Sequence, residues 1–196
     1  MRKRRLFSAL IFAVPVVLAA ATFAVANDSG RTFRSDTLTG YQEVIGPGPI
    51  STTGRGSFEA TLNSAGDEIS YRLTYSDLDT MVAGGIVTQA HIHFGQRGVG
   101  GGIIAFLCGT AGSPGPAGTP ACPQPSGTVT GTITAAQVIG PNGQGIEPGS
   151  FAEAVRAIRV GAVYANVHTT RWPAGEIRGQ VNDRDQRDGD NGEDDD

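Results

Sequence analysis

GAVYANVHTTRWPAGEIRGQV, residues 161–181, decides how this chain is read. Val163, Ala165 and Val167 alternate with Tyr164, Asn166 and His168. After a connection over residues 169–175, Ile177, Gly179 and Val181 alternate with Glu176, Arg178 and Gln180. A period of two marks strands with one face in a core. The opposite face carries His168, Glu176 and Arg178, a dense set of reactive side chains for one strand pair.

The same alternation extends outward. Phe58, Ala60 and Leu62 alternate with Ser57, Glu59 and Thr61, and after a turn at 63–66 so do Ile69, Tyr71, Leu73 and Tyr75 with their polar neighbours. That pair predicts a hairpin. Residues 86–94 place Ala90, Ile92 and Phe94 on one face and Gln89, His91 and His93 on the other. Residues 102–107 are apolar on both sides and predict a buried strand, 127–133 a further one, and 37–44 the first. Between them, 45–53 and the glycine-rich 95–102 read as loops, the latter flexible. Thr134 and Gln137 fit a capping box over one helical turn. Ser150 to Val160 predicts the one helix: Ser150 caps it, Glu153 completes the box, Gly161 stops it, and Phe151, Val155 and Ile158 form its apolar stripe. The expectation is an all-β fold, an antiparallel Greek-key-like β-sandwich or partly closed barrel of about eight strands with one short helix.

The ends read differently. Residues 1–26 combine Arg2, Lys3, Arg4 and Arg5, an apolar run and Ala24-Val25-Ala26, the pattern of a cleaved secretory signal peptide. Residues 27–36 read as a flexible N-terminal segment, 37–182 as the β domain and 183–196 as an acidic disordered tail with no apolar residue. No other stretch is apolar enough for a bilayer span, so none is expected after signal cleavage. The chain has 15 basic and 19 acidic residues, with four of the bases in the first five positions and eight of the acids from Asp183 onward. The domain between is close to neutral, which argues against a nucleic-acid partner. Cys108 and Cys122 are the only cysteines. In an exported chain an even count predicts a disulfide, here closing a Gly- and Pro-rich loop.

Three histidines carry the chemistry. His91 and His93, two apart on one strand, project side by side about 7 Å apart at the backbone, within reach of one ion. His168 can supply a third imidazole and Glu176 a fourth ligand, or an acceptor for a ring N–H, in a Zn or Cu site. Ring nitrogens all more than about 6 Å apart would exclude a shared ion, given bonds of about 2 Å. The alternative is a structural polar network in which the histidines, Asn166, Glu176 and Arg178 bond one another and the loops. No Ser–His–Asp set or Gly-x-Ser-x-Gly elbow supports a hydrolase, and Asp77 and Asp79 look like turn residues. Tyr41 and Trp172, if exposed, would meet sugar or protein; a Trp beside a Pro in a hairpin loop more often packs over the sheet end.

LTGYQEV (38–44), QAHIHFGQRGVGG (89–101), AIRVG (157–161) and AVYANVHTTRWPAGEIRGQV (162–181) together resemble the chordin-type (CHRD) domain family, in order and over about residues 37–182. The resemblance implies a secreted all-β domain without established catalysis. The growth-factor binding of the animal protein belongs to separate cysteine-rich modules, which are missing here. The Cys108–Cys122 stretch is longer than the usual family loop. HIHFG is also similar to a strand of copper–zinc superoxide dismutase, whose remaining ligands have no counterpart. Function accordingly reads as a non-catalytic structural or binding module, at the cell surface or outside the cell, with a protein or surface partner; the alternative is a Zn/Cu-binding domain built on His91, His93 and His168.

Overall fold

The computed structural model describes residues 31–44, 46–79 and 86–183. The expected signal segment 1–26 and the tail beyond Asp183 lie outside the described residues. Eight strands form one sheet: β1 (Arg31–Thr39), β2 (Arg55–Leu62), β3 (Ile69–Ser76), β4 (Val87–Phe94), β5 (Ile103–Cys108), β6 (Gly127–Ile133), β7 (Val163–Thr169) and β8 (Ile177–Asp183). Their order is β5-β4-β7-β8-β1-β2-β3-β6, with every strand pair antiparallel. Edge strands β5 and β6 approach without pairing, so the sheet curls into a nearly closed barrel. Of the two architectures expected, this is the barrel. The seam is bridged by other means: Tyr71 Oη donates to Leu107 O at 2.7 Å, and Ile139 N–H to Ile104 O at 2.9 Å.

Inside, the alternating apolar residues meet. Phe33, Phe58, Leu73, Ala90, Ile92, Ala165, Val167 and Ile177 are all buried in one cluster. Helix α1 (Phe151–Arg159) adds Phe151, Ala154, Val155 and Ile158 to it. At about 25 cal/mol per Å² of apolar surface, such burial is the main favourable contribution to folding. The barrel wraps tightly where β1 crosses β8: a Cβ on Gly179 would collide with Ser35 Oγ and stand 2.7 Å from Thr37 O. There β1 shifts register between Ser35 and Leu38.

Several local expectations change. β1 begins at Arg31, inside the segment read as flexible, and ends at Thr39, with Gly40–Gln42 a 3-10 turn rather than strand. Arg31 to Ser35 look polar in sequence apart from Phe33, yet their backbone pairs with β2 and, at Phe33 and Arg34, with β8. Ser150 makes no side-chain capping bond, and Glu153 pairs with Arg156 at 2.9 Å instead of completing a capping box. The Thr134–Gln137 capping box does form. Cys108 and Cys122 are joined, with Cα atoms 5.0 Å apart. Among the described residues no helix is long and apolar enough to cross a membrane.

One half of the barrel wall is buried on both sides. All seven residues of β7 are buried, and so are His91, His93, Arg178 and Gln180 on its neighbours. Residues 95–102, read as a flexible loop, lie over this outer face and are fastened to it. Arg178 Nη2 donates to Gln96 O at 2.9 Å and Val99 O at 2.8 Å, and Gln180 Nε2 donates to Gly95 O at 3.0 Å. A Cβ on Gly101 would collide with Phe94 O, so only glycine lets the chain fold this closely.

Candidate metal centre

Register brings the three histidines together. β4 and β7 pair so that His91 stands opposite Asn166 and His93 opposite Tyr164. His168 follows two residues along on the same face of β7. One ligand nitrogen from each of His91, His93 and His168 lies within 4.8 Å of the others. Two nitrogens bound to one ion at about 2.0–2.1 Å stand about 3.3–3.6 Å apart. His91 Nδ1 and His168 Nε2 are 3.1 Å apart, at hydrogen-bond distance. From 4.8 Å the nitrogens have about 1 Å to close to share an ion, inside the exclusion limit of about 6 Å.

The hydrogen bonds fix which nitrogens are free. His93 Nδ1 is 3.0 Å from Gly101 O and His168 Nδ1 is 3.0 Å from Pro173 O. A carbonyl only accepts, so both rings donate from Nδ1 and keep a lone pair on Nε2. His91 Nδ1 then donates to His168 Nε2, leaving a lone pair on His91 Nε2. His91 Nε2 and His93 Nε2 are buried and have no partner. Buried acceptors without a donor are costly, and an ion among the rings would satisfy them. Backbone carbonyls holding the far nitrogens are the usual support of metal-bound histidines.

Burial keeps the rings neutral. His91 falls from 6.5 to about 2, through burial and then the neighbouring His168 and His93. Burial likewise brings His93 and His168 to about 4. Aromatic neighbours complete the walls: Phe106 meets His91 edge-on at 4.3 Å, and Tyr164 stacks on His93 at 4.8 Å. The Arg178 guanidinium carbon lies 3.4 Å from the centre of the Tyr164 ring.

Glu176 is not part of the cluster. It precedes the first residue of β8 and follows Gly175, whose φ of 129° breaks the strand geometry. Its Oε1 accepts from Thr52 Oγ1 at 2.6 Å and Asp79 N–H at 2.7 Å, and its Oε2 from Thr169 Oγ1 at 2.9 Å. The expected fourth ligand is a clamp between loops. Nor does it pair with Arg178, which bonds loop carbonyls. Asn166 donates to Glu43 Oε1 and to Ile177 O at 2.9 Å. Burial raises Glu43 to about 7, against the lowering effect of Asn166 and Arg178. Asn166 and Arg178 therefore do sit in a buried polar layer. The sequence reading passed over Tyr164, Gly101, Pro173 and Glu43. Alternation places Tyr164 beside His168, but nothing local marks Glu43, which arrives from a loop 123 residues from Asn166. Tyr41 is 67% exposed, whereas Trp172 is half-buried beside Arg171. Asp77 and Asp79 pair with Arg55 and Arg171.

A family model described as the CHRD domain matches residues 34–181. No curated protein and no solved structure matches the chain.

Proposed function

The chain belongs to the CHRD domain family, and from that premise we propose that it is an exported, non-catalytic domain that holds a transition-metal ion on His91, His93 and His168. The observations that carry the metal reading are the convergence of three buried histidines, one ligand nitrogen of each within 4.8 Å of the others, and the unpartnered Nε2 atoms of His91 and His93. Zn and Cu both take imidazole readily. Export is supported by the basic, apolar and small-residue pattern of residues 1–26. The Cys108–Cys122 bond supports it too, since disulfides persist in oxidising compartments.

A second reading has its own support. The 3.1 Å bond between His91 and His168 suits a metal-free polar core that only fastens the covering loop. Metal analysis of the purified full chain, with melting curves under added Zn or Cu, separates the two. A bound ion at about 100 times its Kd stabilises the native state by about 2.7 kcal/mol. One ion per chain and a rise in Tm, both lost in His93→Ala and His168→Ala, are expected. A chain isolated without metal whose Tm does not respond leaves the polar core as the function of these residues.

A further inference from the structure

Resting on the metal reading above, we propose that the ion these histidines select is monovalent copper, bound by three imidazoles in a closed trigonal site. The choice follows from charge and from space. All three ligands are neutral, and among the described residues no Cys, Asp or Glu joins them. Glu176 is occupied by Thr52, Thr169 and the Asp79 amide, and Glu43 by Asn166. A buried charge costs in proportion to its square, so a dication here costs about four times as much as a monocation of similar size. The Arg178 guanidinium repels a dication twice as strongly as a monocation at the same place. Arg178 is 2% exposed and stands over Tyr164, which in turn stacks on His93.

Space points the same way. Zn(II) completes a tetrahedron and Cu(II) a tetragonal set, each with a fourth ligand that is commonly water. His91 Nε2 and His93 Nε2 are sealed from solvent, and Phe106 and Tyr164 close the sides. Three neutral donors, with no fourth Cys, Asp or Glu beside them among the described residues, suit a filled-shell monovalent ion, which is stable with two or three ligands. No electron transfer is involved in this binding step.

The test uses the full chain under anaerobic conditions. Cu(I), kept reduced with ascorbate, is titrated against bicinchoninate, and Zn(II) against a chromophoric chelator. One Cu(I) per chain, bound tighter than Zn(II) by about tenfold or more, is expected. X-ray absorption should show a three-coordinate nitrogen environment. His168→Glu, which adds a carboxylate, should shift the preference toward Zn(II). Zn(II) binding as tightly as Cu(I), or a four-coordinate copper, overturns the inference while leaving a metal site. Binding of neither ion overturns the metal reading itself. Because the decisive comparison is made on the unaltered protein, a variant that fails to fold does not blunt it.

Discussion

His93 and Tyr164 face each other directly across the β4–β7 pair, their rings 4.8 Å apart and within 2° of parallel. Arg178 approaches the same tyrosine from β8, the strand on the other side of β7. Cation, phenol and imidazole thus form one stack across three strands. The Tyr164 hydroxyl also accepts from Gly101 N–H at 3.2 Å, and Gly101 O receives the His93 ring. Tyr164 therefore ties together the cluster and the loop above it.

That arrangement predicts an ordered pair of variants. Tyr164→Phe keeps the stack and loses only the hydroxyl, costing about 1 kcal/mol. Tyr164→Ala removes a large buried ring and the stack, costing about 3–5 kcal/mol. Urea titrations give both values. Equal costs would mean that the ring contributes nothing beyond its hydroxyl.

Acid should destabilise the metal-free protein. The histidines have folded values of about 2 and 4 against 6.5 in the unfolded chain. Between about pH 6.5 and 4 the unfolded state binds more protons, so stability falls as pH falls, by up to about 1.4 kcal/mol per pH unit for each ring. Glu43 acts in the opposite sense. Raised to about 7 from 4.5, it binds its proton in the folded state first, so acidification from pH 7 to 4.5 stabilises. Three rings outweigh one carboxyl, and the net slope is a loss. Urea midpoints between pH 8 and 4 measure it. Glu43→Gln removes the opposing contribution and should steepen the decline; a shallower decline would show that the sign assigned to Glu43 is wrong.

Much of the barrel is written in alternation. Phe58, Ala60 and Leu62, like Ile69 through Tyr75, face a core on one side and solvent on the other, so the period of two is visible. On β4, β7 and β8 the same period gave the correct face for His91, His93, His168 and Arg178. It did not say that this face is buried, because the cover comes from residues 95–102 and Glu43, which are far in sequence from β7 and β8. A glycine-rich run reads as flexible for want of side chains, yet its backbone carbonyls are what Arg178, Gln180 and His93 hold. Parity failed at Glu176, since strand geometry begins only at Ile177. Arg31 to Ser35 were lost to the strand for a related reason: backbone pairing to β2 and β8 outweighs a polar composition.

Glu176 offers a sharp contrast between clamp and ligand. Glu176→Ala strands the Asp79 amide and the Thr52 and Thr169 hydroxyls, and should cost about 3–5 kcal/mol. Glu176→Gln keeps the size and part of the bonding, and should cost less, about 1–2 kcal/mol. Neither should change metal affinity in the folded fraction by more than about twofold. Equilibrium dialysis beside urea titration measures both quantities. A large loss of metal affinity in the Gln variant, with stability nearly intact, would return Glu176 to the ligand set.

Metal affinity should be nearly flat between about pH 8 and 5. Free imidazoles with a pKa near 6.5 lose affinity on acidification, because protons compete for the lone pairs, by about tenfold per pH unit for each ligand. Burial holds His93 and His168 at about 4 and His91 at about 2, so all three stay neutral and binding displaces no proton across this range. Equilibrium dialysis at half-unit steps, with circular dichroism to confirm folding at each, tests this. The bound ion also offsets part of the acid destabilisation by mass action, so the metal-loaded protein should hold its fold to lower pH than the metal-free form. An affinity that drops with a midpoint near 6.5 would mean that the rings open to water before they bind. The buried lone pairs on His91 and His93 would then not be the binding state.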